Sequence, residues 1–474
     1  MAKQLFGTDG IRGVAGEYPL DPATVYAFGL ALGRDAVQAQ ANPEILIGAD
    51  TRESGQWIAE MVAGGLQEAG ARVRYAGVIT TPGVAYLTRT GPFLAGVMIS
   101  ASHNPYQDNG LKVFGHNGFK LPDVEEAAIE TEILHVRGSG ITPKAASLTA
   151  DDEWARKYLD FLLSLSAVRL DGVKLVMDCG NGAAYRLGPE LFRRLGADVI
   201  ARGVEPNGRN INLHCGALHT EGLQVAVVAE GADFGVAFDG DADRAILVAR
   251  SGKAIDGDSV LLVLARAMKA NGRLKGDTVV ATVMSNLGFE KALESAGIRM
   301  VRMPVGDKYV LEEMVKLDAS LGGEQSGHVI LREFATTGDG MLTALKTIET
   351  ARAAGAGLDE LTADLTIYPQ RLVNVRVREK KALTEVPAVA REIEHVETAF
   401  AGTGRVLVRF SGTEPLARVM VEGRDAKQVE TSVPGLPMPS ASPWELRGFP
   451  APKQGTYRIP RENPPIRPQP LPLD

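Results

Sequence analysis

The sequence predicts an α/β protein that consists of three similar mixed α/β domains and a smaller α+β fourth domain. Three observations support this class. A unit of apolar strand, polar loop, amphipathic helix and second strand occurs three times in the first 304 residues. The helices of the three units end in similar phrases, LQEAGARV, FRRLGADV and LESAGIRM. Beyond about residue 370 the pattern changes to alternating strands around one charged, helix-prone stretch, which is typical of an α+β domain.

The three repeated units indicate βαβ folding and set approximate domain boundaries. They cover residues 45–77, 175–203 and 279–304. Each unit's helix is followed by a glycine, which suits the left-handed position after a helix. These glycines are Gly70, Gly196 and Gly297. The predicted divisions are domain 1 at 1–155, domain 2 at 156–253, domain 3 at 254–370, domain 4 at 371–430 and a proline-rich, disordered tail at 431–474.

Composition and charge exclude several function classes. The 474 residues carry 51 Lys and Arg against 58 Asp and Glu, so no nucleic-acid or membrane-surface role is expected. The N-terminal MAKQLFGTDGIRG has no apolar signal core, and no stretch is long and apolar enough to span a membrane. The two cysteines, Cys179 and Cys215, form no CxxC spacing and suit a reducing compartment. We therefore expect a cytoplasmic protein.

The segment ISASHNP, residues 99–105, follows the apolar run FLAGVM and places Ser102 in a sharp loop. Pro105 cannot extend a strand ladder, and Asn-Pro favours a turn. Because α/β enzymes hold reacting groups in loops at the carboxyl ends of parallel strands, Ser102 is a candidate nucleophile or phosphate carrier. The alternative is that Ser102 only caps the following turn.

The segment FGVAFDGDADRAILV places Asp239, Asp241 and Asp243 in a loop between two strands. Three close carboxylates repel one another, and a bound divalent cation compensates that repulsion, with oxygen ligands favouring Mg²⁺. A calcium-binding EF-hand is excluded because its required Gly and Glu positions hold Arg244 and Arg250. A solvated acidic turn without a metal is the alternative.

Two further loops carry groups that suit a phosphorylated sugar. LGGEQSGH, residues 321–328, presents Glu324, Ser326 and His328, whose carboxylate, hydroxyl and imidazole suit sugar hydroxyls. RFSGTEP, residues 409–415, offers the amides of a Gly-containing turn and an Arg that can clamp a phosphate. Its candidate groups are Arg409, Ser411, Gly412 and Thr413, and Arg418 adds a second charge. An ordinary hairpin turn is the alternative for this last loop.

In order and spacing, ISASHNP, FDGDADR, GGEQSGH and RFSGTEP resemble the four signature loops of the α-D-phosphohexomutases, and the resemblance covers residues 1 to about 430. It implies four domains around a central cleft, with one loop from each. It also implies a phosphate on Ser102 in the resting enzyme, and Mg²⁺ held by that phosphoryl group and the three aspartates. The other positions that it implies are catalytic Arg12, His103 and Lys112, with Lys112 as general acid or base, and substrate-binding Arg244. Surface solvation is the alternative for Lys112.

The resemblance also implies a reaction. Phosphate passes from Ser102 to a hexose phosphate, the resulting bisphosphate turns over within the cleft, and its other phosphate returns to the serine. A mobile fourth domain would permit this reorientation.

The N-terminal FGTDGIRG looks like the branch of the family that acts on hexosamine phosphates. This implies interconversion of glucosamine 6-phosphate and glucosamine 1-phosphate for UDP-N-acetylglucosamine synthesis, with a bisphosphate activator. Mannose or glucose phosphates are the nearest alternative substrates. A Mg²⁺-dependent sugar phosphatase and a non-catalytic sugar-phosphate binder are alternatives of other classes. A homodimer is left open.

The sequence departs from the family pattern at two places. Phe410 stands where the family often has Pro, while Arg409, Ser411 and Thr413 are in place. After VEGRDAKQVE the family usually adds a further helix, whereas this chain continues TSVPGLPMPSASP, and 12 of its 26 prolines lie in the last 44 residues. We therefore expect the fourth domain to end differently from those of the family.

Overall fold

The computed structural model describes residues 4–7, 9–376, 387–410 and 416–432. They belong to two compact units, one that ends at Ile367 and one that begins at Tyr368. Of the tail predicted at 431–474, residues 433–474 lie outside the described residues, and so do the loop residues Ser411, Gly412 and Thr413. None of the helices in the described ranges is both long enough and apolar enough to cross a membrane.

Domain 1 of the first unit is a sheet covered by helices on both faces. Its elements are β1 (Phe6–Gly7), β2 (Gly10–Val14), α1 (Pro22–Ala39), β3 (Glu44–Ala49), α2 (Gly55–Glu68), β4 (Arg72–Val78), α3 (Thr81–Thr90), β5 (Phe93–Ile99), β6 (Asp108–Gly115) and α4 (Asp123–Gly138). The strand order is β1-β2-β6-β5-β3-β4, with β3 parallel to β4 and β5. Because successive strand residues point to opposite faces, Ile45 and Ile47 pack beneath α1 and α2, and Leu46 packs beneath α3. The apolar run ILIG is therefore buried on both faces.

Domain 2 repeats this architecture with a smaller sheet. Its elements are α5 (Glu153–Ser164), β7 (Lys174–Asp178), α6 (Leu187–Arg194), β8 (Asp198–Arg202), α7 (Glu221–Glu230), β9 (Phe234–Phe238), β10 (Ala245–Ala249) and β11 (Ala254–Ile255). The strand order is β11-β10-β9-β7-β8, and β7 is parallel to β8 and β9. Helix α5 starts two residues before the predicted boundary at 155, and its Tyr158 and Leu162 are buried in the core beneath this sheet.

Domain 3 completes the first unit. Its elements are α8 (Gly257–Ala270), a 3₁₀ turn (Lys275–Asp277), β12 (Thr278–Thr282), α9 (Leu287–Ser295), β13 (Arg299–Met303), α10 (Asp307–Lys316), β14 (Leu321–Gly323), β15 (Val329–Leu331), α11 (Gly340–Ala354) and α12 (Leu358–Leu361). The strand order is β13-β12-β14-β15. Val279 and Ala281 of β12 belong to the same continuous apolar cluster as Leu175 and Met177 of β7. Domains 2 and 3 therefore share one core.

The three repeated units fold as the sequence predicts. In each, the two strands that flank the helix are parallel neighbours, namely β3 with β4, β7 with β8 and β12 with β13. Gly70, Gly196 and Gly297 have φ angles of 96°, 102° and 68°. These angles lie in the left-handed region that favours glycine, which explains why each helix stops there.

The second unit is the small C-terminal domain. Its elements are β16 (Gln370–Arg376), α13 (Pro387–Phe400), β17 (Gly404–Phe410), β18 (Leu416–Gly423) and α14 (Ala426–Ser432). The strands are antiparallel in the order β16-β18-β17. A short helix, α14, follows β18: Asp425 accepts a hydrogen bond from the Lys427 amide at 2.8 Å, and Val429 is buried in the domain core. The phrase AKQVETS is long enough for this helix before the prolines begin. The expected departure from the family pattern after VEGRDAKQVE falls mostly on residues outside the described ranges.

Candidate active site

Three of the four predicted signature loops lie at the carboxyl ends of strands in the first unit. The serine loop follows β5, residues 239–244 join β9 to β10, and residues 324–328 join β14 to β15. The Ser102 hydroxyl donates a hydrogen bond to Asp239 Oδ2 at 2.6 Å. Loops from domains 1 and 2 therefore meet at one place.

Ser102 is held in an unusual backbone conformation. Its φ angle is 53°, a left-handed value that non-glycine residues rarely adopt. Its side chain is buried, and its amide donates to the Ser100 hydroxyl at 2.9 Å. Because the Ser102 hydroxyl pairs with Asp239, the alternative that Ser102 only caps the following turn is wrong.

Four side chains that were not predicted from the sequence support the serine loop, namely Asp50, Arg52, Ser100 and Asn212. The Ser102 carbonyl accepts hydrogen bonds from Arg52 Nη2 at 3.2 Å and from Asn212 Nδ2 at 2.9 Å. Arg52 pairs with Asp50, whose carboxylate also accepts a hydrogen bond from the Ser100 hydroxyl. Asp50 and Arg52 follow β3, so their place after a buried strand was a usable signal. Asn212 lies in a long loop of domain 2 and carried no such signal.

The three aspartates of the acidic loop form a buried carboxylate cluster. Asp239, Asp241 and Asp243 are 1%, 0% and 4% exposed, and one oxygen from each lies within 4.8 Å of the other two. Burial, together with the neighbouring carboxylates of Asp243 and Asp241, raises the pKa of Asp239 well above its ordinary value. The alternative of a solvated acidic turn is wrong, because bulk water does not reach these groups.

This carboxylate cluster fits a divalent metal ion. Asp241 Oδ1 and Asp243 Oδ1 are buried and have no hydrogen-bond partner. Buried anionic oxygens without donors are costly unless a cation lies beside them. The candidate metal ligands are all carboxylate oxygens, which is the ligand type that Mg²⁺ prefers.

Lys112 lies beside the carboxylate cluster and not on the surface. Its side chain is 1% exposed, and its Nζ lies 2.8 Å from Asp241 Oδ2 and 3.6 Å from Asp243 Oδ2. Burial alone lowers the pKa of Lys112, but three carboxylates, first that of Asp241, raise the pKa by more than burial lowers it. Lys112 is therefore an ammonium at neutral pH, and the surface alternative is wrong.

Two predicted arginines flank the serine and the aspartates. Arg12 pairs with Asp9, and its Nη1 donates to the Ala101 carbonyl at 3.4 Å. Arg244 Nε lies 3.8 Å from Asp243 Oδ1. Both guanidinium groups place positive charge near the serine loop and the carboxylate cluster, where a phosphoryl group would need it.

His103 is in contact with Ser102 in an uncharged form. Its Nδ1 lies 3.3 Å from Ser102 Oγ. Burial, with Arg244 and Arg12, lowers the pKa of His103 to about 4. The imidazole is therefore neutral at pH 7 and can exchange a hydrogen bond with the serine oxygen.

The predicted sugar-binding loop in domain 3 reaches the acidic loop through His328. This buried imidazole has Nδ1 3.7 Å from Asp243 Oδ2, and its Nε2 accepts a hydrogen bond from the Gly338 amide at 2.9 Å. Glu324 Oε1 accepts from the Gly306 amide at 3.2 Å, and the Ser326 hydroxyl donates to Glu324 Oε2 at 3.3 Å. The half-buried Glu324 and Ser326 therefore present a carboxylate and a hydroxyl together.

Three charged residues that join domains 1 and 3 were not predicted from the sequence. Lys120 pairs with Asp9 of domain 1 and with Asp307 of domain 3. Asp9 lies within FGTDGIRG, which the resemblance had already marked, whereas Lys120 and Asp307 carried no local signal.

In the C-terminal domain, Arg409 of β17 stands directly opposite Arg418 of β18, which in turn faces Asn374 of β16. Directly opposed residues of antiparallel strands share a face, and like charges there are destabilising. Burial and the charge of Arg418 lower the pKa of Arg409. Two arginines held side by side in this way suit an anion as their counter-charge.

Family models match almost the whole described chain in order. They are the phosphoglucomutase/phosphomannomutase alpha/beta/alpha domain I at residues 3–137, domain II at 156–252, domain III at 256–368 and the C-terminal domain at 372–433. The chain belongs to the phosphoglucomutase/phosphomannomutase family. The resemblance to the α-D-phosphohexomutases is therefore confirmed, and so is the fold class of three α/β domains and a smaller fourth.

Within this family, the chain is highly similar to curated phosphoglucosamine mutases. The chain is 72% identical over 431 residues to the phosphoglucosamine mutase of Solibacter usitatus, covering 91% of this chain and 97% of the relative. It is 51% identical to the phosphoglucosamine mutase of Koribacter versatilis, over 89% of this chain and 93% of the relative.

Solved structures show the same fold at lower identity. A phosphoglucomutase/phosphomannomutase family protein of Burkholderia thailandensis has a TM-score of 0.75 and 23% identity, over 91% of this chain and 96% of its own. Aspergillus fumigatus N-acetylphosphoglucosamine mutase, solved in complex with GlcNAc-6P and magnesium, has a TM-score of 0.61 and 18% identity, over 91% of this chain and 94% of its own.

Proposed function

We propose that this protein is a phosphoglucosamine mutase, which interconverts glucosamine 6-phosphate and glucosamine 1-phosphate for UDP-N-acetylglucosamine synthesis. The observation that carries the chemistry is the buried contact between the Ser102 hydroxyl and the three-aspartate cluster. The high identity to phosphoglucosamine mutases supports the choice of sugar. Phosphate moves from phosphorylated Ser102 to the free hydroxyl of the bound sugar phosphate, and the other phosphate of the bisphosphate returns to the serine.

We assign Mg²⁺ to Asp239, Asp241 and Asp243, together with the phosphoryl group on Ser102. When bound, the ion supplies positive charge that stabilises the phosphoryl oxygens during transfer. The buried carboxylate oxygens without hydrogen-bond partners support this assignment.

The chain's own cations orient the transferred group and stabilise its charge. We assign Lys112 as general acid or base and as a charge stabiliser beside the carboxylate cluster. Its burial and its contact with Asp241 support both roles, and its raised pKa, which keeps it an ammonium, supports the second. Arg12 stabilises the phosphoryl oxygens, and His103 exchanges a hydrogen bond with the serine oxygen. Phosphoryl transfer depends mainly on such alignment and charge stabilisation, so these contacts supply what the reaction needs.

We assign the sugar hydroxyls to the loop of domain 3 and the non-transferred phosphate to the C-terminal domain. The residues proposed for these two roles are Glu324, Ser326, His328 and Arg244 for the sugar, and Arg409, Ser411, Gly412, Thr413 and Arg418 for the phosphate. The opposed arginines of β17 and β18 support the second assignment. A bisphosphorylated sugar is the proposed activator, because it can place the first phosphate on Ser102. The two cysteines, both unpaired thiols, support a cytoplasmic location.

A side-by-side assay tests the substrate. The purified enzyme is given glucosamine, glucose and mannose 6-phosphates with Mg²⁺ and a catalytic amount of the matching bisphosphate. We expect kcat/KM to be highest for glucosamine 6-phosphate. Faster turnover of glucose or mannose 6-phosphate would instead favour a phosphoglucomutase or phosphomannomutase. Release of inorganic phosphate without 1-phosphate would favour a sugar phosphatase.

A second experiment tests the phosphate carrier. Intact-mass measurement should find a phosphorylated fraction in the wild type and none in Ser102→Ala. This variant should lose several orders of magnitude in turnover, because the transferred phosphate then has no acceptor on the enzyme. Near-normal turnover of Ser102→Ala with the bisphosphate present would refute the phosphoserine assignment.

A further inference from the structure

Lys120 forms a buried charged bridge between domains 1 and 3. It follows β6 in domain 1, and its side chain is 11% exposed. Its Nζ lies 2.5 Å from Asp9 Oδ1 in the same domain and 2.5 Å from Asp307 Oδ2 at the start of α10 in domain 3. Burial alone lowers the pKa of Lys120, but Asp307 and Asp9 raise the pKa by more, so the bridge is charged at neutral pH.

Asp9 and Asp307 each contact residues of a different part of the proposed site. The second oxygen of Asp9 lies 3.1 Å from Lys112 Nζ and also pairs with Arg12. Asp9 therefore positions two cations, Arg12 beside the serine loop and Lys112 beside the carboxylate cluster. A buried ammonium with several carboxylate partners has its orientation set by all of them, so loss of one partner allows it to shift.

The other carboxylate, Asp307, contacts the sugar-binding loop. Asp307 Oδ2 lies 3.6 Å from His328 Nε2, and the amide of the preceding residue, Gly306, donates to Glu324 at 3.2 Å. Asp307 and the preceding Gly306 thus contact two of the four side chains proposed to bind the sugar. Displacement of Asp307 would move this support relative to the serine loop.

The contacts close into a ring. From His328 the contacts continue to Asp243 at 3.7 Å, and from Asp243 to Lys112 at 3.6 Å. The ring therefore runs through all three domains of the first unit and returns to its starting point. The side chains of Lys120, Asp9 and Asp307 are 11%, 22% and 14% exposed, so water screens the interactions between their charges less than on the open surface.

We infer that Lys120 is a positioning residue of the mutase reaction. By holding Asp9 and Asp307 at once, it fixes the position of Lys112 and the position of the sugar-binding loop relative to the serine loop. The inference rests on the proposed function. It assigns Lys120 no contact with the transferred phosphate. Its loss should affect both catalysis, through Asp9, and sugar binding, through Asp307.

The competing explanation is a purely structural clamp between domains 1 and 3, and the chain offers a matched control for it. Lys308 also joins these two domains: its Nζ lies 2.7 Å from Asp123 Oδ1 and 3.0 Å from the Leu121 carbonyl. Its side chain is 12% exposed, similar to that of Lys120. In the part of the chain that the structure describes, its hydrogen bonds and ion pairs involve Leu121, Asp123 and Glu126 and none of the proposed site residues. A clamp alone would make both lysines matter equally.

The experiment compares Lys120→Met, Lys120→Arg and Lys308→Met in the full-length enzyme with the hexose 6-phosphate that the wild type turns over best. We expect Lys120→Met to lower kcat/KM by about 100-fold, through both a lower kcat and a higher KM, because Asp307 loses its ammonium partner and Asp9 keeps only Lys112 and Arg12 as cations. Lys120→Arg should regain at least about tenfold of that loss, and Lys308→Met should stay within about threefold of the wild type.

Two single-carboxylate variants separate the two arms of the bridge. Asp9→Asn should mainly lower kcat, and Asp307→Asn should mainly raise KM. A loss of folded protein would lower kcat without changing KM, so this split is not expected from a structural role. If Lys120→Met does not fold, these two variants carry the test, since both retain Lys120.

Three results would overturn the inference. Lys120→Met with the activity of Lys308→Met would show a structural clamp, and so would a loss in kcat alone that matches the loss of folded protein. Asp307→Asn with an unchanged KM would remove the link to the sugar-binding loop. A wild-type enzyme that isomerises none of the three hexose 6-phosphates would refute the proposed function itself, a result that the wild-type assay gives before any variant is made.

Discussion

Asn212→Ala tests whether domain 2 holds the serine loop of domain 1 in its reactive shape. Asn212 Nδ2 donates to the Ser102 carbonyl at 2.9 Å and to the Asn104 carbonyl at 3.2 Å, and the residue is 8% exposed. Both bonds act on a loop whose serine has a left-handed φ angle of 53°. Loss of the amide therefore removes two restraints at the point where the backbone is least relaxed.

The size of the effect follows from these contacts. Arg52 also donates to both carbonyls, so the variant weakens their hydrogen bonding without leaving either carbonyl unpaired. Two neutral hydrogen bonds at about 1 kcal/mol each give about 2 kcal/mol. If this energy holds Ser102 in line with the sugar hydroxyl, kcat should fall by about 30-fold, while KM changes little because no proposed sugar contact is lost.

The assay is steady-state isomerisation, with Asn210→Ala as the control. Asn210 lies in the same loop, but its half-buried side chain bonds within that loop: its amide donates to the Glu205 carbonyl at 3.0 Å, and its Oδ1 accepts from the Asn207 amide at 2.9 Å. The control should behave as the wild type, and circular dichroism should show both variants folded. A folded Asn212→Ala enzyme with kcat within twofold of the wild type would refute this account of the serine loop.

Three other predictions follow from the site and the core. Asp241→Asn should lower turnover at least about 100-fold, because one buried anionic ligand is lost. It should also reduce the rise in melting temperature that Mg²⁺ gives the wild type, and an unchanged rise would contradict the metal assignment. Arg409→Met should raise KM for the sugar phosphate about 10- to 100-fold with a smaller change in kcat, whereas the exposed Arg371→Met serves as the control; equal KM values for the two variants would count against the phosphate clamp. Burial raises the pKa of Asp339 to about 6, so the folded state keeps a proton between about pH 4 and pH 6 that the unfolded state releases. The wild type should therefore lose about 3 kcal/mol of stability relative to Asp339→Asn as the pH rises through that range, as urea unfolding at pH 4 and pH 7 would measure; a difference that does not change with pH would contradict the assignment.

The sequence by itself determined the features that depend on neighbours along the chain. The three βαβ units were predictable because apolar residues recur with the periods of strands and helices, and because Gly70, Gly196 and Gly297 occupy positions that only glycine adopts without cost. The acidic loop was predictable for a similar reason, since its three aspartates alternate within five residues. Helix α14 was not predicted from the sequence, because it is short and prolines follow it closely, so its apolar residue Val429 shows no helical period.

Only the tertiary structure decided which distant residues share the site. Lys112, Lys120 and Asn212 look like surface residues in the sequence, and their partners lie far along the chain: Asp241 is 129 positions from Lys112, Asp307 is 187 from Lys120, and Ser102 is 110 from Asn212. Such contacts follow from how domains 1, 2 and 3 pack, which no local pattern encodes. The same packing removes much of the water around these charged side chains, and their interactions are stronger there than on the open surface.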